Sequence, residues 1–265
     1  MKKVLFLLAA VLLTFTACKK EPKPTPDPKP DDKPESDELI IIDGNFDDWA
    51  TASGVITVKN NPDYVGVEVD ESRQRVDALK VMKIAADKYN IYVYTEVDMS
   101  VIYRGGVPNW EGTIMDPAKA MALEVYIDAD NNPATGGINW VWGICGWEYH
   151  LEASVFSDQA SAYGELEGGD FAKFTGEDGT DIWAVDPPAQ ESMTDNGLFA
   201  GNGKLDGNTA KYEVCITRAL LPKLGKSCAI GVEILSENWM LMGVLPQCND
   251  AEGTWAGKLE PITLP

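Results

Sequence analysis

The sequence has one histidine, His150, in 265 residues. A Ser-His-Asp centre, a two-histidine metal site or a His-relayed mechanism would each have to be built on that single residue. The composition thus points away from catalysis. Basic residues are also scarce: 22 Lys and Arg stand against 42 Asp and Glu, for a formal net charge of −20. Nothing here neutralises phosphates in number, which excludes a sequence-independent hold on DNA or RNA and argues against adhesion to anionic lipid through charge. The five cysteines lack the CxxC or Cys/His spacing of a zinc site. Long apolar runs are missing as well: the longest, residues 4–13, has ten residues where a bilayer-spanning helix needs about 20.

What the N-terminus does contain is an address. Met1-Lys2-Lys3, the apolar run and Thr14-Phe15-Thr16-Ala17 have the basic, apolar and small-residue regions of a secretory signal, expected over residues 1–17. Cys18 follows at once. The passage resembles the lipobox of bacterial lipoproteins, with Phe15 where Leu is commoner, and that resemblance implies cleavage before an acylated Cys18. Residues 18–38 then hold six prolines, five lysines, seven acids and no large apolar residue. Such a segment buries too little surface to offset the entropy of ordering, so an extended stalk is expected. Stalk and anchor together resemble surface lipoproteins of glycan-foraging Gram-negative bacteria. The implied location is the outer membrane, facing the exterior, with other surface glycan-utilisation proteins as neighbours.

From residue 39 to 265 the pattern is all-β, predicting one antiparallel β-sandwich domain. Strand-like runs at 78–86 and 91–97 flank the turn Asp87-Lys88-Tyr89-Asn90, and further runs follow at 121–127, 150–156, 211–217, 229–235 and 259–264. Asp206-Gly207-Asn208 is a hairpin signal ahead of Lys211. Residues 218–224 read as a short helix with Pro222 inside it. Runs at this spacing without βαβ alternation favour a sandwich over a parallel sheet. Export makes disulfides possible among Cys145, Cys215, Cys228 and Cys248. Cys215 and Cys228 are the nearest pair, but their phases disagree: Tyr212, Val214 and Ile216 form the apolar face beside Cys215, whereas Cys228 shares the face of Ile230, Val232 and Ile234. A bridge there and free half-buried thiols both stay open.

Four passages carry a family resemblance. Ile42-Asp43-Gly44-Asn45-Phe46-Asp47-Asp48-Trp49 resembles the "IDG…DW" opening of family 9 carbohydrate-binding modules and their DOMON-like relatives. Residues 125–137, VYIDADNNPATGG, are similar to a strand and loop of the same modules. Gly146-Trp147-Glu148-Tyr149 resembles their "G-x-D-Y" element, with Glu in place of Asp, and Tyr212-Glu213-Val214 with Leu220-Leu221 resembles a later strand-to-helix passage. The family fold is a β-sandwich, in agreement with the strand reading.

The second passage also has chemistry of its own. Asp128 and Asp130, two apart at a strand end, point to one side, and Asn132 adds a third oxygen before Pro133 fixes the chain. Three oxygens on a tight loop suit Ca²⁺ in a structural role. An EF-hand is excluded, because Pro133 stands in the place of its glycine and Asn139 in that of its bidentate Glu. The resemblance implies that Glu148 closes the site. The alternative is an Asx turn whose side chains bond only their own backbone.

Eight tryptophans are the other anomaly. Exposed rings that stack on sugar C–H faces are the expected chemistry of a glycan site, although most Trp residues are packing elements. Trp49 reads as core. Trp140 and Trp142, alternating on one face, and Trp110 in a Gly/Pro loop are the carbohydrate-contact candidates, and Trp147 and Trp183 are noted beside them.

The leading expectation is a non-catalytic, lipid-anchored protein that binds neutral glycans and repels sulfated or uronic polymers. An adhesin or envelope-assembly component using the same sandwich for protein contacts is the alternative. A glycosidase using two of the 35 carboxylates after residue 38 is a third, and a haem-binding DOMON-like domain using Met82 and His150 a fourth.

Overall fold

The computed structural model describes residues 38–61, 67–69, 72–74, 77–102, 121–139, 141–155, 164–165, 169–193, 199–235, 241–247 and 258–265. The expected signal segment, Cys18, nearly all of the stalk, Trp110, Trp140 and Cys248 lie outside the described residues. In chain order the strands are β1 Ile56–Lys59, β2 Val67–Val69, β3 Ser72–Gln74, β4 Leu79–Ala86, β5 Asn90–Asp98, β6 Met121–Asp128, β7 Gly137–Asn139, β8 Gly143–Trp147 and β9 Tyr149–Val155. They continue with β10 Gly164–Glu165, β11 Asp170–Phe174, β12 Gln190–Ser192, β13 Phe199–Asp206, β14 Thr209–Thr217, β15 Ser227–Leu235, β16 Leu241–Leu245 and β17 Glu260–Thr263.

Two antiparallel sheets form the sandwich. One has the order β1-β4-β5-β14-β13-β10, and the other β12-β11-β9-β6-β15-β16 with β17 also pairing β15. Their facing sides meet in one core. From the first sheet come Met82, Ile84, Ile91, Val93, Tyr212 and Val214, and from the second Val125, Ile127, Leu151, Phe171, Ile230 and Val232. The period-two alternation of a strand explains the selection. Ile91, Val93 and Val97 of β5 turn inward, while Tyr92 and Tyr94 turn outward and are covered by Ile40 and Trp49 from the segment before β1.

Each strand run expected from sequence has a counterpart, and the two expected turns close the β4–β5 and β13–β14 hairpins. Asp87 shapes the first by accepting from the N–H groups of Tyr89 and Asn90, both at 2.7 Å. The expected helix at 218–224 is shorter, a single 3₁₀ turn over Arg218–Leu220, since Pro222 lacks the N–H that a continuing helix needs. A four-residue α-helix, Met99–Ile102, was not foreseen. The strand phases settle the cysteine question for the described residues. Cys228 lies in the central core and Cys215 on the outer side of the first sheet, so no bridge joins them and both thiols are free, as is Cys145.

The outer side of the second sheet has its own smaller core. Tyr126 of β6, Phe174 of β11, Ala229 of β15 and Val244 of β16 are covered there by Val141, Trp142, Cys145 and Trp147 from the excursion between β6 and β9. Gly231 makes room for it: a Cβ there would lie 2.8 Å from the Trp142 ring and 2.5 Å from Leu259. This covered face carries the functional-site candidates.

Candidate functional site

Acids occupy positions of this face where packing calls for apolar groups. In the register of the sheet, Glu233 of β15 faces Glu124 of β6, Glu124 faces Glu152 of β9, and Glu152 faces Asp170 of β11. Directly opposed side chains lie about 4.5–5.5 Å apart at Cβ, and like charges so placed repel. Four carboxyl groups therefore cross the sheet in one row. Glu233 is wholly buried; burial, and then the facing Glu124, hold its carboxyl well above the ordinary carboxylate range. Burial, with Glu124 next, raises Glu152 in the same direction. Glu124 Oε2 accepts from the Tyr126 hydroxyl at 2.7 Å and lies 3.4 Å from His150 Nε2. The imidazole stacks on the Tyr126 ring, with centroids 4.4 Å apart.

A cavity of about 520 Å³ opens beside the row, within the usual range for small-ligand sites. The sheet contributes Glu124, Tyr126, His150 and Glu152, and the covering excursion contributes Ile138, Asn139 and Trp147. Asp181, Ile182 and Trp183 line it from a third segment, together with Gln190 and Leu235. Trp147 is fixed by its Nε1–H, which donates to Ile138 O at 3.2 Å, and by edge contacts with Tyr126 and Phe174. Trp183 is 69% exposed. It sits on the 3₁₀ turn Ile182–Ala184, where Asp181 Oδ1 accepts the Trp183 N–H at 2.8 Å. That turn is tied to the excursion by Ile138 N–H donating to Thr180 O at 3.0 Å. The cavity is thus aromatic and acidic, and no Lys or Arg is among its described lining residues.

A second cluster lies at the end of β6. Asp128, Asp130 and Glu148, three of the four residues named as calcium candidates, bring one carboxylate oxygen each to within 4.8 Å of one another. Asp128 Oδ1 accepts from Asn132 N at 2.9 Å, and Glu148 Oε2 from Ala129 N at 2.8 Å. Asn132 does different work: its side-chain oxygen accepts from Ala134 N at 3.2 Å, closing an Asx turn. The loop bends at Asn131, which takes a left-handed φ of 56° that Asn tolerates better than most residues. It packs against Gly146, whose φ is +69° and where a Cβ would meet Asn132 O at 2.6 Å. Burial pushes Asp128 up to about 7, with Glu148 and Asp130 adding to the rise, and burial raises Glu148 as well.

Trp142, expected to meet sugar, is a core residue instead. It is 1% exposed, its edge meets Tyr126, and its Nε1–H donates to Pro246 O at 2.9 Å. Met82 and His150 cannot share a haem, since Met82 is in the central core and His150 on the opposite side of the second sheet. The acids missed from sequence did leave a signal: Glu124 and Glu152 of the cavity, and Glu233 beside them in the row, are lone acids flanked by apolar residues inside strand runs. Trp183, set in a loop ahead of Pro187-Pro188, is the exposed ring of the cavity.

No known family's sequence profile matches the chain, and no curated protein matches it. Among solved structures the chain is similar to a family 9 carbohydrate-binding module from Caldicellulosiruptor kristjanssonii, determined in complex with cellotriose. The likeness has 13% sequence identity and a TM-score of 0.34, and it covers 78% of this chain and 90% of that one.

Proposed function

We propose that this chain is a non-catalytic glycan-binding protein whose site is the cavity beside the acidic row. The observation that carries the reading is the pairing of an exposed ring, Trp183, with a second ring, Trp147, and a set of hydrogen-bond acceptors in one cavity of sugar size. Aromatic faces take the C–H side of a pyranose, and carboxylates and amides accept from its hydroxyls. The acids repel sulfated and uronic polymers, so the ligands are glycans without anionic groups. Ca²⁺ held by Asp128, Asp130 and Glu148 belongs to the same proposal as a structural ion. The donor set fits: it is all oxygen, it is convergent, and the buried Glu148 Oε1 makes no direct hydrogen bond. An acylated Cys18 and the Pro-rich stalk would hold the domain on the outer membrane, facing the exterior.

Calorimetric titration of the full chain in detergent with neutral cello-, xylo-, manno- and malto-oligosaccharides tests the reading. The expected Kd is about 1 μM to 1 mM, because a small sugar platform buries little area against the cost of association. Trp183→Ala should weaken binding at least about tenfold with the circular dichroism spectrum unchanged, and salt should matter little for an uncharged ligand. If neither neutral nor amino sugars give heat, the proposal fails.

A further inference from the structure

Carboxylates outnumber basic side chains on the described lining of this cavity, three to one histidine. Glu124, Glu152 and Asp181 bring three carboxylates, and Gln190 Oε1 is buried without a direct hydrogen-bond partner. The Trp147 indole and the Tyr126 hydroxyl already donate, to Ile138 O and to Glu124, and the other donors on the described lining are the Trp183 indole, His150 and the amides of Asn139 and Gln190. Sugar hydroxyls both donate and accept, whereas an ammonium group offers three donors and no acceptor. Charge points the same way. His150 lies 3.4 Å from Glu124, and no lysine or arginine among the described lining residues balances Glu152 and Asp181. A cleft lined by one sign of charge concentrates ligands of the other.

The aromatic walls and the spread of the acids narrow the choice of cation. Among the described residues, the group of three or more acid, histidine or cysteine ligands whose atoms converge within 4.8 Å is Asp128, Asp130 and Glu148, none of which lines the cavity. The cavity's own acids do not meet at a point, so they suit a cation spread over an organic framework better than a bare metal ion. Indole and phenol faces attract such a cation through the ring quadrupole, Trp most strongly. We infer that the cavity selects a glycan carrying a protonated amine, an amino sugar, over its acetylated or neutral counterpart. This rests on the glycan reading above and names the class of sugar within it.

Three ligands of equal length separate the two statements: glucosamine oligosaccharides, their N-acetylated forms and cello-oligosaccharides, each titrated into the full chain in detergent. The amine form should bind at least about tenfold tighter than either of the others, a difference of about 1.4 kcal/mol. Raising salt should shrink that margin. Glu152→Gln, at a half-buried position, should remove most of the preference by weakening the amine form far more than the other two, and Trp183→Ala should weaken all three. Equal binding of the three ligands overturns the amine selection and leaves glycan binding standing. Amine binding indifferent to both substitutions overturns it as well, by placing the amine elsewhere on an acidic surface. Silence from all three ligands overturns the amine selection, and silence from the wider neutral panel as well overturns the glycan reading.

Discussion

Trp49 Nε1–H donates to Glu213 Oε2 at 3.0 Å, across 164 residues of chain. The other oxygen of the same buried carboxylate accepts from the backbone N–H groups of Asp43 at 3.0 Å and Gly44 at 2.8 Å. The Ile42-to-Trp49 passage and Tyr212-Glu213-Val214 are therefore two halves of one hydrogen-bonded unit, which pins the first segment of the domain onto the outer side of the first sheet. Without Glu213 three donors lose their acceptor together. Glu213→Ala should cost roughly 2–4 kcal/mol, read by chemical denaturation, and Glu213→Gln, which keeps one acceptor oxygen, should cost less. An Ala variant with the wild-type midpoint would mean that this unit does not hold the segment in place.

The acidic row predicts a pH dependence. A glutamate in the unfolded chain titrates near about 4.3, whereas Glu233, buried and facing Glu124, keeps its proton to a much higher pH in the fold. Between those two values the folded state binds more protons than the unfolded one, so stability falls as pH rises. Glu233→Gln has nearly the same shape and removes the term. Its denaturation midpoint should gain on that of the wild type steadily as pH rises from about 4 into the neutral range. Curves that run parallel would show that Glu233 titrates normally.

Much of this architecture was legible in the sequence, for identifiable reasons. Strands such as β5 and β14 alternate cleanly because each has a central-core side and an outer side, and Asp87 and Asp206-Gly207-Asn208 mark their turns with local chemistry. The Asp128, Asp130 and Glu148 cluster was legible because strand-end spacing and loop residues place two of its three acids. The cavity was not. Its lining comes from strands and loops that only tertiary pairing brings together, and cross-strand register, which aligns Glu233, Glu124, Glu152 and Asp170, cannot be read from any one segment. Trp142 was misread for a related reason. Its burial depends on the space left by Gly231, 89 positions further along the chain.

The anchor is testable apart from the fold. If Cys18 is acylated, metabolic labelling with a fatty acid should mark the wild-type chain and not Cys18→Ala. The variant should also remain uncleaved or leave the membrane fraction. Equal labelling of the two proteins would dismiss the lipoprotein reading and leave the sandwich untouched.

Calcium binding should reveal itself through the repulsion it removes. Asp128, Asp130 and Glu148 hold carboxylate oxygens within 4.8 Å of one another, and in the absence of a cation burial and mutual repulsion push Asp128 up to about 7. An ion that binds the folded state alone stabilises it by RT ln(1 + [L]/Kd). Millimolar Ca²⁺ with a Kd of about 10–100 μM would therefore add roughly 1.5–3 kcal/mol, or about 3–10 °C in Tm for a domain of this size. Asp128→Asn should behave oppositely in the two conditions. With EDTA it should melt at or above the wild-type temperature, because one repelling charge is gone while the side-chain oxygen can still accept from Asn132 N. With Ca²⁺ it should melt below the wild type, having lost a charged ligand. If EDTA shifts both proteins equally, or neither, the loop is an Asx turn stabilised by its own backbone and holds no ion.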